Sequence, residues 1–516
     1  MGNSLGPNMN ANSGNYNYFS GWAKVSFDGF INENYFQVSS QERNLVQNIE
    51  ISHAFTKNPI TNQKDAFISL ILKSKYDGIG NRQPIDISIA LDISGSMSCI
   101  DGNDAKSRLT LAKESLKKLV SIMDLDNDKM SLITFNHKTQ KIFELLNKND
   151  IQQKFLSDID SIKANGGTDL VEALKAAMNN LNMENVEKKE KRIIMITDAA
   201  YKDVNNSLLN LFKQCVEEKG VSITIMAISS ESNLSLADKL SHFKGCNYFP
   251  ITKSSDLETF LVKDFNYIFF PIAYDTKIKI NSNVQILKCV GGENTMSDEY
   301  MNIDNKDEAP KPSNEVSFDF GSAFSSDLLK IRDNLGEEKF YSRGGLILLK
   351  INPDDLYKNE ELKFDFILEY KSFDNKTCSQ NYSYSIGNKN DIDIEYFCDN
   401  NIRKGISIYY FSNILNHIVE TFNKGNYNDK YGIKDENKKQ KDLKLIETKQ
   451  VVSEYLRNNF ILEPDNQDTK QNLNNYLKLM EERYDGFKKI VFQFYNLNAA
   501  PMPYINQNYN YNYNFY

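Results

Sequence analysis

No run of apolar residues in this 516-residue chain approaches the roughly 18–20 needed to span a bilayer. The stretch YIFFPIAY (267–274) is far too short, so no transmembrane segment is expected. The six cysteines (Cys99, Cys215, Cys246, Cys289, Cys378, Cys398) include no CxxC pair and do not cluster with the four histidines, which excludes a zinc ribbon or RING finger. Positive charge is not in excess either. The net charge is -8 and the pI about 5.4, whereas a dedicated nucleic-acid binder needs a basic face to neutralise phosphates. The opening MGNSLGPNMNANSGNYNY holds no apolar segment that could serve as a secretory signal. Reduced thiols and a cytoplasmic or cytoskeleton-associated protein are therefore expected, with leaderless secretion left open. The chain begins Met-Gly, which makes Gly2 a candidate for N-myristoylation and membrane contact. Gly6, however, stands where that pattern wants Ser or Thr. A single acyl chain would hold a membrane only marginally.

What is present describes a globular protein, with 40% hydrophobic and 25% charged residues and length for about two to four domains. Residues 1–20 are Asn/Gly/Ser/Tyr-rich and read as a disordered N-terminus. From 21 to 84 the patterning is that of β segments, as in AKVSFDGFI and DAFISLILKSK. Between 85 and 271 short apolar strands alternate with amphipathic helices. IDISIALD is followed by AKSRLTLAKESLKKLVSIM, whose Leu109, Ala112, Leu116, Leu119 and Val120 share one helical face. KMSLITFN, RIIMITD and VSITIMAIS continue the alternation. Such a rhythm predicts a doubly wound α/β open sheet, mostly parallel and buried on both faces. Past 272 the runs alternate like antiparallel strands, so 272–403 is expected to be a β-sandwich. Residues 21–84 would complete it, leaving the α/β block inserted in or flanked by that sandwich. Residues 404–495 predict an α-helical C-terminal domain, and 496–516 form an Asn/Tyr-rich tail, flexible or sticky.

The segment that carries chemistry is LDISGSM (91–97), where an apolar strand ends in one carboxylate, two hydroxyls and a glycine. A nucleophile elbow needs Gly-x-Ser-x-Gly, and a phosphate loop needs Gly-x-x-x-x-Gly-Lys-Ser/Thr. A phosphoryl-accepting aspartate usually has a second carboxylate two residues on, where this chain has Ser94. None of these patterns is supplied, and no enzyme activity is expected. Two readings remain, a strand-ending turn with a helix N-cap and a metal site. The motif lies at the carboxyl end of a strand, the edge where open α/β sheets bind ligands. NGGTD (165–169), presenting Thr168, and IIMITD, ending in Asp198, are expected at the same edge. Asp92, Ser94, Ser96, Thr168 and Asp198 would then offer two carboxylates and three hydroxyls. That all-oxygen set suits Mg²⁺ or Mn²⁺, with no thiol or imidazole to prefer zinc. With neutral hydroxyls as nearest ligands the ion stays electrophilic and takes an outside carboxylate. DGNDAKSR (101–108) lacks the EF-hand spacing and reads as a solvated loop, and MDLDNDKM (123–130) as a solvated turn.

On these residues the block 85–271 resembles a von Willebrand factor A domain. IDISIALDISGSM, ANGGTDLVEAL and RIIMITDA stand in the order and spacing of its complete metal-ion-dependent adhesion site. The resemblance implies that Ser94, Ser96 and Thr168 are hydroxyl ligands and that Asp92 and Asp198 bind directly or through water. It also implies one short antiparallel edge strand, which TQKIFEL (139–145) would supply. The layout of roughly 20–400 is similar to inter-alpha-trypsin inhibitor heavy-chain-like and related protist and bacterial proteins. The lack of a signal and of disulfides resembles the intracellular branch, whose members act mostly in assembly and interaction. The implied function is a divalent-cation-dependent protein interaction module that captures an acidic side chain of a partner. The alternative is a scaffold subunit, open to self-association, in which the metal edge is not the main contact.

Overall fold

The computed structural model describes residues 25–497 apart from 26, 40–46, 79–83, 101–104, 125, 147–154, 182–188, 199–205, 229–242, 244, 252–256, 292–312, 320–321, 325, 334, 373–375, 388–394, 426–434, 462–466 and 496. Gly2 with the whole of 1–20, and the Asn/Tyr-rich tail apart from Leu497, lie outside the described residues.

The first element corrects the reading of 21–84 as β segments throughout, because Phe27–Asn32 (α1) is a helix. Phe27, Phe30 and Ile31 also fit helical spacing, and tertiary contacts decide between the two periods. The Phe30 ring packs 5.1 Å from Phe411 and 4.8 Å from Tyr476, centroid to centroid. The strands β1 (Tyr35–Val38), β2 (Asn48–Lys57) and β3 (Lys64–Lys73) follow.

The α/β block then runs β4 (Ile85–Asp92), α2 (Arg108–Ile122), β5 (Lys129–Phe135), β6 (Thr139–Leu146), α3 (Leu156–Ser161) and α4 (Leu170–Asn180). It continues through β7 (Glu190–Thr197), α5 (Asn206–Lys213), β8 (Ser222–Ile228), β9 (Asn247–Ile251) and α6 (Phe265–Ile268). Its sheet has the order β6-β5-β4-β7-β8-β9, parallel except for the antiparallel edge strand β6. Every residue of β4 is buried because helices cover both faces. Ile87, Ile89 and Leu91 pack with Leu116 of α2 and with Phe265 of α6. Ala90, Met195 and Ile225 pack with Leu174 of α4 and Phe212 of α5. This two-sided burial explains why the strands are nearly all apolar.

The chain leaves the block through β10 (Pro271–Val290), then β11 (Ser313–Asp319), β12 (Ser322–Phe324), β13 (Leu328–Arg332), β14 (Glu338–Arg343) and β15 (Leu346–Ile351). The short α7 (Asp355–Lys358) precedes β16 (Leu362–Ser372), β17 (Thr377–Ile386) and β18 (Tyr396–Phe397). Where the patterning pointed to a sandwich, these strands join in one nine-stranded sheet, ordered β17-β16-β10-β15-β3-β2-β18 with β11 and β12 on β10, and a three-stranded sheet β1-β14-β13. The strand β3 lies before the α/β block and pairs β15 after it, with Ile71 opposite Leu346. One sheet thus receives both ends of the block.

Three helices close the chain, α8 (Asn400–Lys424), α9 (Glu436–Asn459) and α10 (Gln467–Phe494). The run from Gly405 to Leu415 is buried throughout, so α8 is apolar on nearly every side. It lies between the sheet residues Phe67 and Leu348 and the outer helices, with which they share one core.

Two polar clusters tie the block to this frame. At the amino-terminal end of the sheet, fully buried Arg192 donates to the Phe269 carbonyl at 3.1 Å and to Thr224 at 2.8 Å, and pairs with Glu190 at 3.0 Å. At the exit, Arg343 of β14 pairs with Asp264 at 3.1 Å. Asp327 accepts from Tyr267 at 2.8 Å and from Tyr35 at 2.6 Å. A further acid, half-buried Glu33 after α1, accepts from Tyr476 of α10 at 3.1 Å. Burial pushes its carboxyl from 4.5 to about 7, against the Tyr476 hydrogen bond and the Arg343 charge. A raised carboxyl pKa means stability held at low pH is lost as pH rises, here between 4.5 and about 7. Glu33→Gln is therefore expected to be more stable than wild type at pH 8, by up to about 3 kcal/mol, with the gap closing toward pH 4.5. Chemical denaturation at both pH values measures it.

Candidate metal-ion site at the carboxyl edge of the parallel sheet

The strand β4 ends in Asp92, and the backbone turns at once. Ile93 N–H donates to the Phe135 carbonyl at 2.8 Å, and Gly95–Ser98 form a single 3₁₀ turn. The loop before α4 docks on this turn. Gly95 N–H reaches the Gly166 carbonyl at 3.0 Å, and Asn165 N–H reaches the Ile93 carbonyl at 2.7 Å. Asn136 Nδ2 secures the loop from the other side by donating to Asn165 Oδ1 at 2.6 Å. Gly166 has φ +78°, and a Cβ there would lie 2.6 Å from His137 Nδ1, so the position is reserved for glycine on two grounds.

Four of the five expected residues are joined by hydrogen bonds. Asp92 is fully buried, and its Oδ1 accepts from Ser94 N–H at 2.7 Å. Its Oδ2 accepts from the Thr197 hydroxyl at 2.6 Å. Ser94 Oγ and Ser96 Oγ are 3.1 Å apart, and Ser96 Oγ donates to Asp198 Oδ1 at 2.8 Å. Arg108, the first residue of α2, completes Asp198 with Nη1 at 2.7 Å from Oδ2. Thr168 is half-buried on the docked loop, and among the described residues its hydroxyl makes no hydrogen bond. Ser96 is exposed, which opens the cluster to solvent.

Asp92 is the energetic problem at this edge. Burial pushes its carboxyl above the usual range, the hydrogen bonds from Thr197 and Ser94 pull it back, and neighbouring Asp198 pushes it up again. Among the described residues no cation pairs with it. Nor do three His, Cys, Asp or Glu side chains gather anywhere among them to hold a metal, so any ion here would depend on hydroxyls. The donor chemistry fits a hard cation. The two carboxylates and the Ser94 and Ser96 hydroxyls are linked in one hydrogen-bonded chain, with a buried anion that a cation would relieve.

Thr197 and Arg108 are site residues that sequence reading passed over. Thr197 was visible as the residue before Asp198 in IIMITD, and Arg108 as a lone cation opening the first amphipathic helix. The aspartates of MDLDNDKM behave as a turn. Asp128 accepts from Ile85 N–H at 3.1 Å and from Asp124 N–H at 2.8 Å. All six cysteines are free, and burial pushes the thiols of Cys215, Cys246 and Cys289 up to about 12.

The block is a six-stranded open sheet with one antiparallel edge, carrying Asp-x-Ser-x-Ser from the last residue of β4 onward. Residues 87–200 match the family model of the von Willebrand factor type A domain, a class that often mediates protein–protein interactions. Among solved structures, a von Willebrand factor type A protein from Catenulispora acidiphila is similar at 14% identity and TM-score 0.41, covering 74% of this chain and 82% of that one. BatB from Bacteroides thetaiotaomicron is similar at 19% identity and TM-score 0.29, over 35% of this chain and 97% of that one. The PilB minor pilin from Streptococcus sanguinis is similar at 13% identity and TM-score 0.29, over 44% of this chain and 83% of that one. No curated protein matches this chain.

Two substitutions probe the geometry. Gly166→Ala forces the left-handed conformation on a residue with a Cβ and is expected to cost about 1–2 kcal/mol before the His137 clash is counted. The urea midpoint reads it. Thr197→Val conserves shape but strips a donor from buried Asp92, and a loss of about 1–3 kcal/mol at pH 7 is expected. That loss should shrink as the pH is lowered and Asp92 takes up a proton.

Proposed function

We propose that the block 85–271 is a divalent-cation-dependent protein interaction module. Mg²⁺ or Mn²⁺ would be held by the Ser94, Ser96 and Thr168 hydroxyls, with Asp92 and Asp198 acting directly or through water. The observation that carries this reading is a fully buried Asp92 carboxylate, paired with no cation among the described residues and accepting from Ser94 N–H, with the Ser94 and Ser96 hydroxyls bonded to each other beside it. The bound ion would offer its open position to an acidic side chain of a partner, approached past exposed Ser96. The frame of sheets and C-terminal helices presents the module, anchored through Arg192 and Arg343.

Thr168→Ala is the cleanest test, because its hydroxyl supports no hydrogen bond that the described fold needs. Calorimetric titration of the full chain with Mn²⁺ should give a single site that the Thr168→Ala and Asp92→Ala variants lose or bind at least tenfold more weakly. Affinity capture with the full chain as bait should recover a partner in Mg²⁺ and not in EDTA. Equal recovery in both, or in wild type and Thr168→Ala alike, would refute cation dependence.

A further inference from the structure

We propose that Arg108 is a built-in competitor of the divalent cation. Its guanidinium holds Asp198 when the edge is free of metal and leaves Asp198 when a cation binds. This rests on the cation reading above and adds the exchange that governs the site's affinity.

The two carboxylates of the edge are treated differently by the fold. Among the described residues Asp92 has only neutral donors, the Ser94 N–H and the Thr197 hydroxyl. Asp198 has a full positive charge 2.7 Å from Oδ2, and its Oδ1 takes the Ser96 hydroxyl at 2.8 Å. The Asp198 side chain is 1% exposed and that of Arg108 21%, so the pair is formed largely out of water. Within such a pair the charge is strongly felt, and an unpartnered carboxylate would be costly.

Local helix energetics do not place an arginine there. Arg108 is the first residue of α2, directly after the Ser107 N-cap, where the helix dipole presents its positive end and favours anions. A cation in that turn is held by something outside the helix, and Asp198, 90 residues away in sequence, is that partner.

A metal would want the same carboxylate, from the Oδ1 side that Ser96 reaches. Ser96 bridges Ser94 and Asp198, so an ion seated on the two serine hydroxyls stands next to the carboxylate that Arg108 grips. With Arg108 in place the two aspartates and the guanidinium sum to one net negative charge. A divalent ion then meets half the opposing charge it would find without the arginine, and a like charge across Asp198. Binding requires the guanidinium to withdraw toward solvent, which its partial exposure permits.

The test uses the full chain with Mn²⁺ alone as probe, comparing wild type with Arg108→Gln, and with Arg108→Met as a second variant that keeps the stem's packing. Competition predicts at least tenfold tighter Mn²⁺ binding by calorimetry in both variants. It also predicts a lower melting temperature in EDTA and a larger upward shift on adding Mn²⁺ than wild type shows. Equal or weaker Mn²⁺ affinity in folded variants would overturn the competitor role while leaving the cation site standing. Absence of Mn²⁺ binding in wild type and in both variants would overturn this inference together with the cation reading.

Discussion

A carboxylate sealed at the end of a strand that is buried on both faces is the constraint on which this edge depends. Asp92 cannot be hydrated, so its two oxygens must be met by the protein. The turn after β4 supplies one donor through Ser94 N–H, and the neighbouring strand supplies the other through Thr197. Both donors are neutral, and the negative charge stays uncompensated within the described residues. The serine pair, the docked Gly166 loop and the Arg108–Asp198 ion pair are arranged around that charge.

The opposite end of the same sheet is closed by a different solution. Arg192 is buried outright, yet it is paired with Glu190 and hydrogen-bonded to Thr224, Asn247 and the Phe269 carbonyl. A charge so fully matched is fixed in place and fastens the chain where it passes from the block into β10. One end of the sheet is thus saturated with polar contacts. The other carries an anion that, among the described residues, has only neutral donors, with an arginine at its rim, and it is the end where we propose that a ligand is taken.

Much of the block was legible in the sequence because its signals are local. Leu109, Ala112, Leu116 and Leu119 mark α2 by spacing alone, and IDISIALD marks a strand buried on both faces. Strand polarity then sends the carboxyl ends of β4 and β7 to one edge, which is why the sequence groups Asp92, Ser94, Ser96 and Asp198. Local pattern failed at α1, where the Phe27–Asn32 spacing fits either period and packing on Phe411 and Tyr476 selects the helix. It also failed for the strands outside the block. Alternation identifies antiparallel strands but not their neighbours, and the pairing of β3 with β15 closes a loop of more than two hundred residues.

The sequence by itself therefore determined the alternating α/β rhythm, the polar residues at the strand ends and the all-oxygen character of the edge. These follow from the period of each element and from the direction in which a strand points. Only the tertiary structure decided that Thr197 caps Asp92, that Arg108 neutralises Asp198, and that the three C-terminal helices share a core with the nine-stranded sheet. The two site contacts join residues 105 and 90 positions apart. Contacts so distant leave no periodic trace and arise only when packed elements bring their ends together.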